Sequence, residues 1–166
     1  MTKFSKITPC LWFDSQAEEA ARFYVSLFDA SQSGIDAITR YCKIGFELHG
    51  RPEGSVQTVA FRLAGQSFTA LNGGPLFKFS EAVSFQVMCD TQAEIDRLWT
   101  SLTDGGAESH CGWLKDRFGL SWQIVPSVLP TFMTQGDPER IARVVQAFLP
   151  MGKLDIATIE RAYHGN

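Results

Sequence analysis

Between residues 120 and 125, Leu120, Trp122 and Ile124 alternate with Ser121, Gln123 and Val125. Successive side chains of a strand point to opposite faces, so Trp122 and Gln123 meet different surroundings. One face is apolar enough to lie under a helix. The other carries Ser121 and Gln123 and suits a cavity wall. With the preceding CGWLK run and a tight turn over residues 116–119, this stretch predicts two strands joined by a hairpin.

The same reasoning orders the rest of the chain. ITPCLWF, residues 7–13, predicts a strand with Ile7, Pro9, Leu11 and Phe13 on one face and Thr8, Cys10 and Trp12 on the other. Ser15-Gln16-Ala17-Glu18 reads as a capping box, with Ser15 as the cap. It opens a helix to about residue 28 that buries Ala17, Ala20, Tyr24, Leu27 and Phe28. Strands are expected at residues 34–42, 56–63, 67–71 and 83–89. Thr91 and Glu94 form a second box, before a helix whose buried stripe is Ile95, Leu98, Trp99 and Leu102 and which ends at Gly105-Gly106.

The second half repeats the first. Asp14-Ser15-Gln16-Ala17-Glu18 returns as Asp90-Thr91-Gln92-Ala93-Glu94, and GQSFTAL at 65–71 matches GLSWQIV at 119–125 in character. Two matches in the same order predict a duplicated strand–helix–three-strand unit. After Pro126 the pattern changes. Asp137-Pro138 starts a helix with Ile141, Val144, Val145 and Phe148 on one face, and a last helix spans 154–163. The chain divides into a module at 1–75, a module at 76–126 and a helical tail at 127–166, within one structural domain.

Composition narrows the function. The chain has 166 residues, 45% of them apolar, so a sizeable core is expected. A net charge of −3 with no basic run argues against nucleic-acid and membrane-surface partners. Cys10, Cys42, Cys89 and Cys111 have no paired spacing, and no signal peptide or membrane-spanning run is read, so reduced thiols and a cytoplasmic location are expected. His49, His110 and His164 read as surface residues.

ITPCLWFDSQAEEAARFY, FTALNGGPLFKFSEAVSFQV, CDTQAEIDRLW and CGWLKDRFGLSWQIVP resemble the PhnB-like proteins, catalogued as the 3-demethylubiquinone-9 3-methyltransferase-like family. That family lies in the vicinal oxygen chelate superfamily with glyoxalase I and the bleomycin-resistance proteins. The likeness extends over almost the entire chain, the MGKLDIATIERA tail included. It implies an α+β fold, the glyoxalase/bleomycin-resistance/dioxygenase fold, with two βαβββ modules forming curved mixed sheets plus the C-terminal helices. It also implies a homodimer.

Many enzymes of the superfamily hold a divalent ion with one His or Glu from each of four strands, as a Lewis acid. By the repeat, the equivalent places here are Thr69 and Gln123, with Thr8 or Cys10, and Ser84 or Gln86. None is His, Asp or Glu, so no metal ligand and no cofactor are expected. Asn72-Gly73-Gly74-Pro75 is neither a typical S-adenosylmethionine turn nor a phosphate loop. Cys10 reads as a cavity nucleophile or as a small core hydrophobe. Asp116 and Gly119 read as turn formers, and Trp113 as a packing residue.

What remains is a ligand cavity walled by Thr8, Cys10, Trp12, Thr69, Ser84, Gln86, Met88, Ser121 and Gln123, with Asn72, Phe77 and Phe79 near its mouth. Trp12 and Met88 read equally well as filling the sheet interior. The expected function is metal-independent binding of a small, partly apolar molecule. The alternatives are a metal-dependent lyase, isomerase or dioxygenase of the superfamily and, last, a methyltransferase.

Overall fold

A computed structural model describes residues 5–165 and contains two compact units that part after Lys78. In the first unit, β1 (Cys10–Phe13) pairs in parallel with β4 (Gln66–Asn72), β4 runs antiparallel to β3 (Val56–Leu63), and β3 runs antiparallel to β2 (Gly34–Arg40). The helix α1 (Ala17–Ser26) joins β1 to β2, and the four-residue α2 (Phe46–His49) lies in the loop before β3. In the second unit β5 (Ser84–Cys89), α3 (Gln92–Thr103), β6 (Ala107–Glu108), β7 (Trp113–Lys115) and β8 (Ser121–Pro126) repeat the plan. The strand orders are β1-β4-β3-β2 and β5-β8-β7-β6, so the duplication is topological as well as sequential.

Alternation decides which face of each sheet goes under its helix. In the first sheet Leu11, Phe13, Val59, Phe61, Leu63, Phe68 and Ala70 are buried, as are Ala17, Ala20, Ala21 and Tyr24 of α1. The small alanines let the helix approach closely, and Tyr24 lies 6.4 Å, centroid to centroid, from Phe61. In the second sheet Leu114, Trp122 and Ile124 are buried together with Ile95, Leu98, Trp99 and Leu102 of α3, the stripe that the period predicted.

The two helix starts differ. Thr91 caps α3 as expected: its Oγ1 accepts from the Glu94 amide at 3.2 Å, while Glu94 Oε2 accepts from the Asp90 amide at 3.1 Å. The Ser15 box does not form. The residue before α1 is Gln16, with no side-chain cap of its own. Instead Asn72, at the end of β4, accepts from the Ala17 amide through Oδ1 at 2.8 Å. A cap delivered from a distant strand ties the helix to its sheet, and no local motif announces it.

Other differences have local causes. The first strand begins at Cys10, and Ile7, expected on the buried face, is 85% exposed. The helix α4 (Val128–Gln135) and the short β6 and α2 carry too little pattern to predict. Pro130 falls within the first turn of α4, where a proline costs no hydrogen bond.

The tail forms α4, α5 (Pro138–Phe148) and α6 (Ile156–His164), which cluster with the second module rather than apart from it. Val144, Leu154 and Ile159 are its core, and Phe132 stacks on Tyr163 with centroids 3.9 Å apart. Two backbone bonds dock it to the sheet: the Cys111 amide donates to Met151 O at 2.7 Å and the Gly112 amide to Gly152 O at 2.8 Å. Gly112 sits at φ 81°, and a Cβ there would lie 2.7 Å from the Ile124 carbonyl oxygen.

Acid is expected to loosen this tail. Hydrogen bonds from Thr158 hold the Asp155 carboxyl below its ordinary value, and those from Lys153 and Gln92 do the same for Asp96. Depressed carboxylates stabilise the fold above the unfolded-state value of about 3.9, and that contribution is lost as pH falls through the folded value. Between pH 5 and 3 the melting temperature should therefore fall, and less steeply in Asp155→Asn, which keeps a capping side chain. Parallel declines in the two proteins, measured by circular dichroism, would contradict this.

Candidate functional site

The strand registers show which of the candidate residues stand opposite one another. Cys10 stands opposite Thr69 in the first unit, and Gln86 stands opposite Gln123 in the second. Thr8 and Ser84 therefore lie one pleat further back, and Ser84 stands opposite Ser121. In each unit these residues occupy the face turned away from the helix.

In the second unit the face is a ladder of amides and hydroxyls. Gln86 Nε2 donates to Gln123 Oε1 at 3.1 Å, and Gln123 Nε2 donates to Ser84 Oγ at 2.8 Å. Ser121 is buried beside them, Gln123 is half-buried, and Met88 is 44% exposed at the other end of β5. Trp113 pairs with Gln123, and Lys115 pairs with Ser121, so both join this face. Trp113, Lys115, Ser121 and Glu81 line a cavity of about 220 Å³. Lys115 and Glu81 form an ion pair across its wall. Lys115 and Glu81 were missed by sequence reasoning. Alternation about the buried Leu114 was the signal for Trp113 and Lys115, and nothing local marks Glu81. Phe79, the expected mouth residue, is half-buried at the start of this unit.

Asp116 makes the turn that holds the β7–β8 hairpin. Its Oδ1 accepts from the Phe118 and Leu120 amides at 2.9 and 3.0 Å, and Oδ2 accepts from Trp122 Nε1 at 2.9 Å. Gly119, at φ 86°, closes the turn. Arg117 pairs outward with Asp104.

In the first unit the equivalent face carries Cys10, Trp12 and Thr69, while Thr8 donates to the Ser5 carbonyl at 3.5 Å. Trp12 is seated on the glycine turn: its Nε1 donates to Gly74 O at 2.8 Å, and a Cβ on Gly73 would come within 2.2 Å of its ring. Phe77 meets Trp12 edge-on at 5.0 Å. Asn72 is buried and committed to the fold. Besides capping α1, its Nδ2 donates to Val56 O at 3.1 Å, and its backbone carbonyl accepts from Tyr41 Oη at 2.7 Å.

These donor sets do not fit a transition ion. In the second unit the face offers only neutral amides and hydroxyls, from Gln86, Gln123, Ser84 and Ser121, which are weak sole anchors for a transition ion. In the first, desolvation raises the Cys10 thiol, which disfavours the thiolate a metal needs, and Thr69 adds only a hydroxyl. Burial, then the Glu94 charge, pushes the Cys89 thiol up to about 12. Among the described residues no group of three or more His, Cys, Asp or Glu side chains is placed to hold a metal.

Paired βαβββ sheets, each with a polar face opposite its helix, define the glyoxalase/bleomycin-resistance/dioxygenase fold of the vicinal oxygen chelate superfamily. The family model described as 3-demethylubiquinone-9 3-methyltransferase matches residues 5–125. The chain belongs to this PhnB-like family. Among solved structures it is similar to the PhnB protein from Bacillus cereus, at 38% identity over 74% of this chain and 99% of that one, with a TM-score of 0.65. Protein PA1353 from Pseudomonas aeruginosa, at 20% identity over 74% of this chain and 98% of that one, shares the fold with a TM-score of 0.56. No curated protein matches. The family match stops at residue 125, before the tail over which the likeness was expected to continue.

Proposed function

We propose that this protein binds a small, partly apolar molecule without a metal ion, on the polar sheet face of the second unit that carries Gln86 and Gln123. The Gln86–Gln123–Ser84 chain of hydrogen bonds supports this reading above all. Gln123 and Gln86 are among the positions that the repeat and the resemblance match to ion-holding groups of the superfamily's metalloenzymes. Each amide has two donors and two lone pairs, so bonding within the ladder still leaves Gln123 one N–H and one lone pair for a ligand. The metal-dependent alternative would need an ion held by neutral amides and hydroxyls alone.

The methyl-transfer chemistry in the family's name has little support from these residues. The Asn72–Gly74 turn is engaged by the α1 cap and by Trp12 and does not lead into a helix. A homodimer belongs to the proposal, and Ile44, Phe46 and Leu48 around α2 offer exposed apolar surface for it. So does a cytoplasmic location, since all four thiols are unpaired. Among the described residues no helix is long and apolar enough to cross a membrane.

Gln123→Leu tests the reading. It keeps a similar volume and removes both amide functions. A thermal-shift screen of neutral aromatic alcohols and amides should find ligands that raise the melting temperature of the native protein, by mass action on the folded state. Gln123→Leu should fold and bind those ligands at least tenfold more weakly, as titration calorimetry would show. Unchanged affinity would contradict the proposal.

A further inference from the structure

The loop that joins β2 to β3, residues 41–55, is folded around the side chain of His49. Its base is closed by backbone bonds from Tyr41 to Ser55 O and from Gly54 to Tyr41 O. Inside it, α2 is framed by Gly45 and Gly50, both in the left-handed region at φ 85° and 63°. His49, expected at the surface, is half-buried. Its ring lies against Tyr41, with centroids 4.5 Å apart. Tyr41 is itself buried and fixed by its bond to Asn72 O.

Both ring nitrogens are engaged. The Arg51 backbone amide donates to Nδ1 at 3.0 Å. A backbone N–H only donates, so Nδ1 is bare and the neutral ring carries its hydrogen on Nε2. Nε2 then donates to Ile44 O at 3.3 Å. The imidazole thus ties the chain just before α2 to the chain just after it. An imidazolium carries a hydrogen on each nitrogen. It would keep the bond to Ile44 and set one N–H against another at Arg51. The closed loop therefore takes the neutral ring, and acid favours the open loop.

Arg51 carries the consequence further. Its Nη2 donates to Asp14 O at 2.8 Å and to Asp14 Oδ1 at 3.0 Å, just ahead of α1. Arg51, Pro52 and Ser55 also line a cavity of about 320 Å³, whose other walls include Glu18 and Asn72. The remaining charges are committed elsewhere or point to solvent. Lys43 pairs with Glu53, Glu18 pairs with Arg22, and Arg40 bonds to Gly54 O. Glu47 is exposed on α2.

We infer that His49 is a pH-sensitive catch: as the neutral imidazole it holds this loop, and with it the Arg51 wall of the cavity, and as the imidazolium it lets the loop open. Imidazole takes up its proton in the mildly acidic range, so the loop responds there. The device lies in the first unit and is independent of the ligand-binding face proposed in the second.

Two measurements on the full chain test it. Long-range ¹H–¹⁵N spectra of the ring at about pH 8 should show the hydrogen of His49 on Nε2. A ring protonated at Nδ1 overturns the inference. Amide exchange, corrected for its intrinsic pH dependence, then follows the loop. From about pH 7.5 to about pH 5.5 the opening of the Gly50 and Arg51 amides should rise about fivefold, the worth of one hydrogen bond. The β3 and β4 amides should keep their protection, and a loss there as well would mean unfolding of the unit and overturn the catch. His49→Gln cannot take up a proton, so its Arg51 amide should open equally at both pH values. A rise like that of the native protein would show that another group titrates and would overturn it. His49→Phe keeps a ring on Tyr41 and lacks both bonds, so its Arg51 amide should be open at either pH. Native-like protection in that variant also overturns the inference.

Discussion

Trp122→Ala is expected to lower the unfolding free energy of this protein by about 4–5 kcal/mol, a loss of about 10–15 °C in melting temperature. Trp122 is 2% exposed, in the middle of the second sheet's helix-facing side. Removing the indole leaves a cavity against Leu114, Ile124 and the α3 stripe, and rigid neighbours close such cavities only in part. A polar loss adds to it. The indole N–H is one of the donors holding Asp116, which is 3% exposed and organises the turn before β8. Trp122→Phe separates the two contributions. It keeps most of the volume and deletes the donor, so its cost should be about 2 kcal/mol. Urea unfolding of the three proteins measures both. A Trp122→Ala cost below about 2 kcal/mol would mean that the hairpin and α3 do not share this core.

Asn72→Ala is expected to cost about 3 kcal/mol, or about 6–12 °C. The side chain satisfies the Ala17 amide at the start of α1 and the Val56 carbonyl on β3 from a position 7% exposed. Truncation removes the protein partner of both groups at once. Asn72→Asp retains the acceptor for Ala17 but places a carboxylate beside the Val56 carbonyl, so it should recover little. Ser15→Ala, by contrast, should change stability by less than about 0.5 kcal/mol, since Ser15 makes no capping bond. If Ser15→Ala cost more than Asn72→Ala in thermal melts, α1 would be capped locally after all.

This pair of residues shows where the sequence was legible and where it was not. Period-two alternation placed Trp122 under the helix and Gln123 on the opposite face, because that side-chain order is a property of the strand itself. The Thr91 cap and the Ile95–Leu102 stripe were equally local. Asn72, expected near a cavity mouth, does line a cavity with Ser15, Arg51 and Val56, but its capping role was not legible because its partners are 55 and 16 residues away and leave no local trace. That Cys10 stands opposite Thr69 and Gln86 opposite Gln123 needed the strand registers, since repeat matching does not give cross-strand partners. Lys115 and Trp113 were within reach: they flank Leu114 in the strand beside Gln123. Glu81 was not, because a loop residue reaches the site only through the fold.

If oriented amides have replaced a metal on these faces, chelation has nothing to remove. The most direct test is ligand affinity measured by calorimetry before and after exhaustive dialysis against EDTA, with metal content determined on the same samples. Unchanged affinity at negligible metal is the expected result. Stoichiometric metal in the untreated protein, together with ligand binding that vanishes on dialysis and returns with the ion, would contradict it.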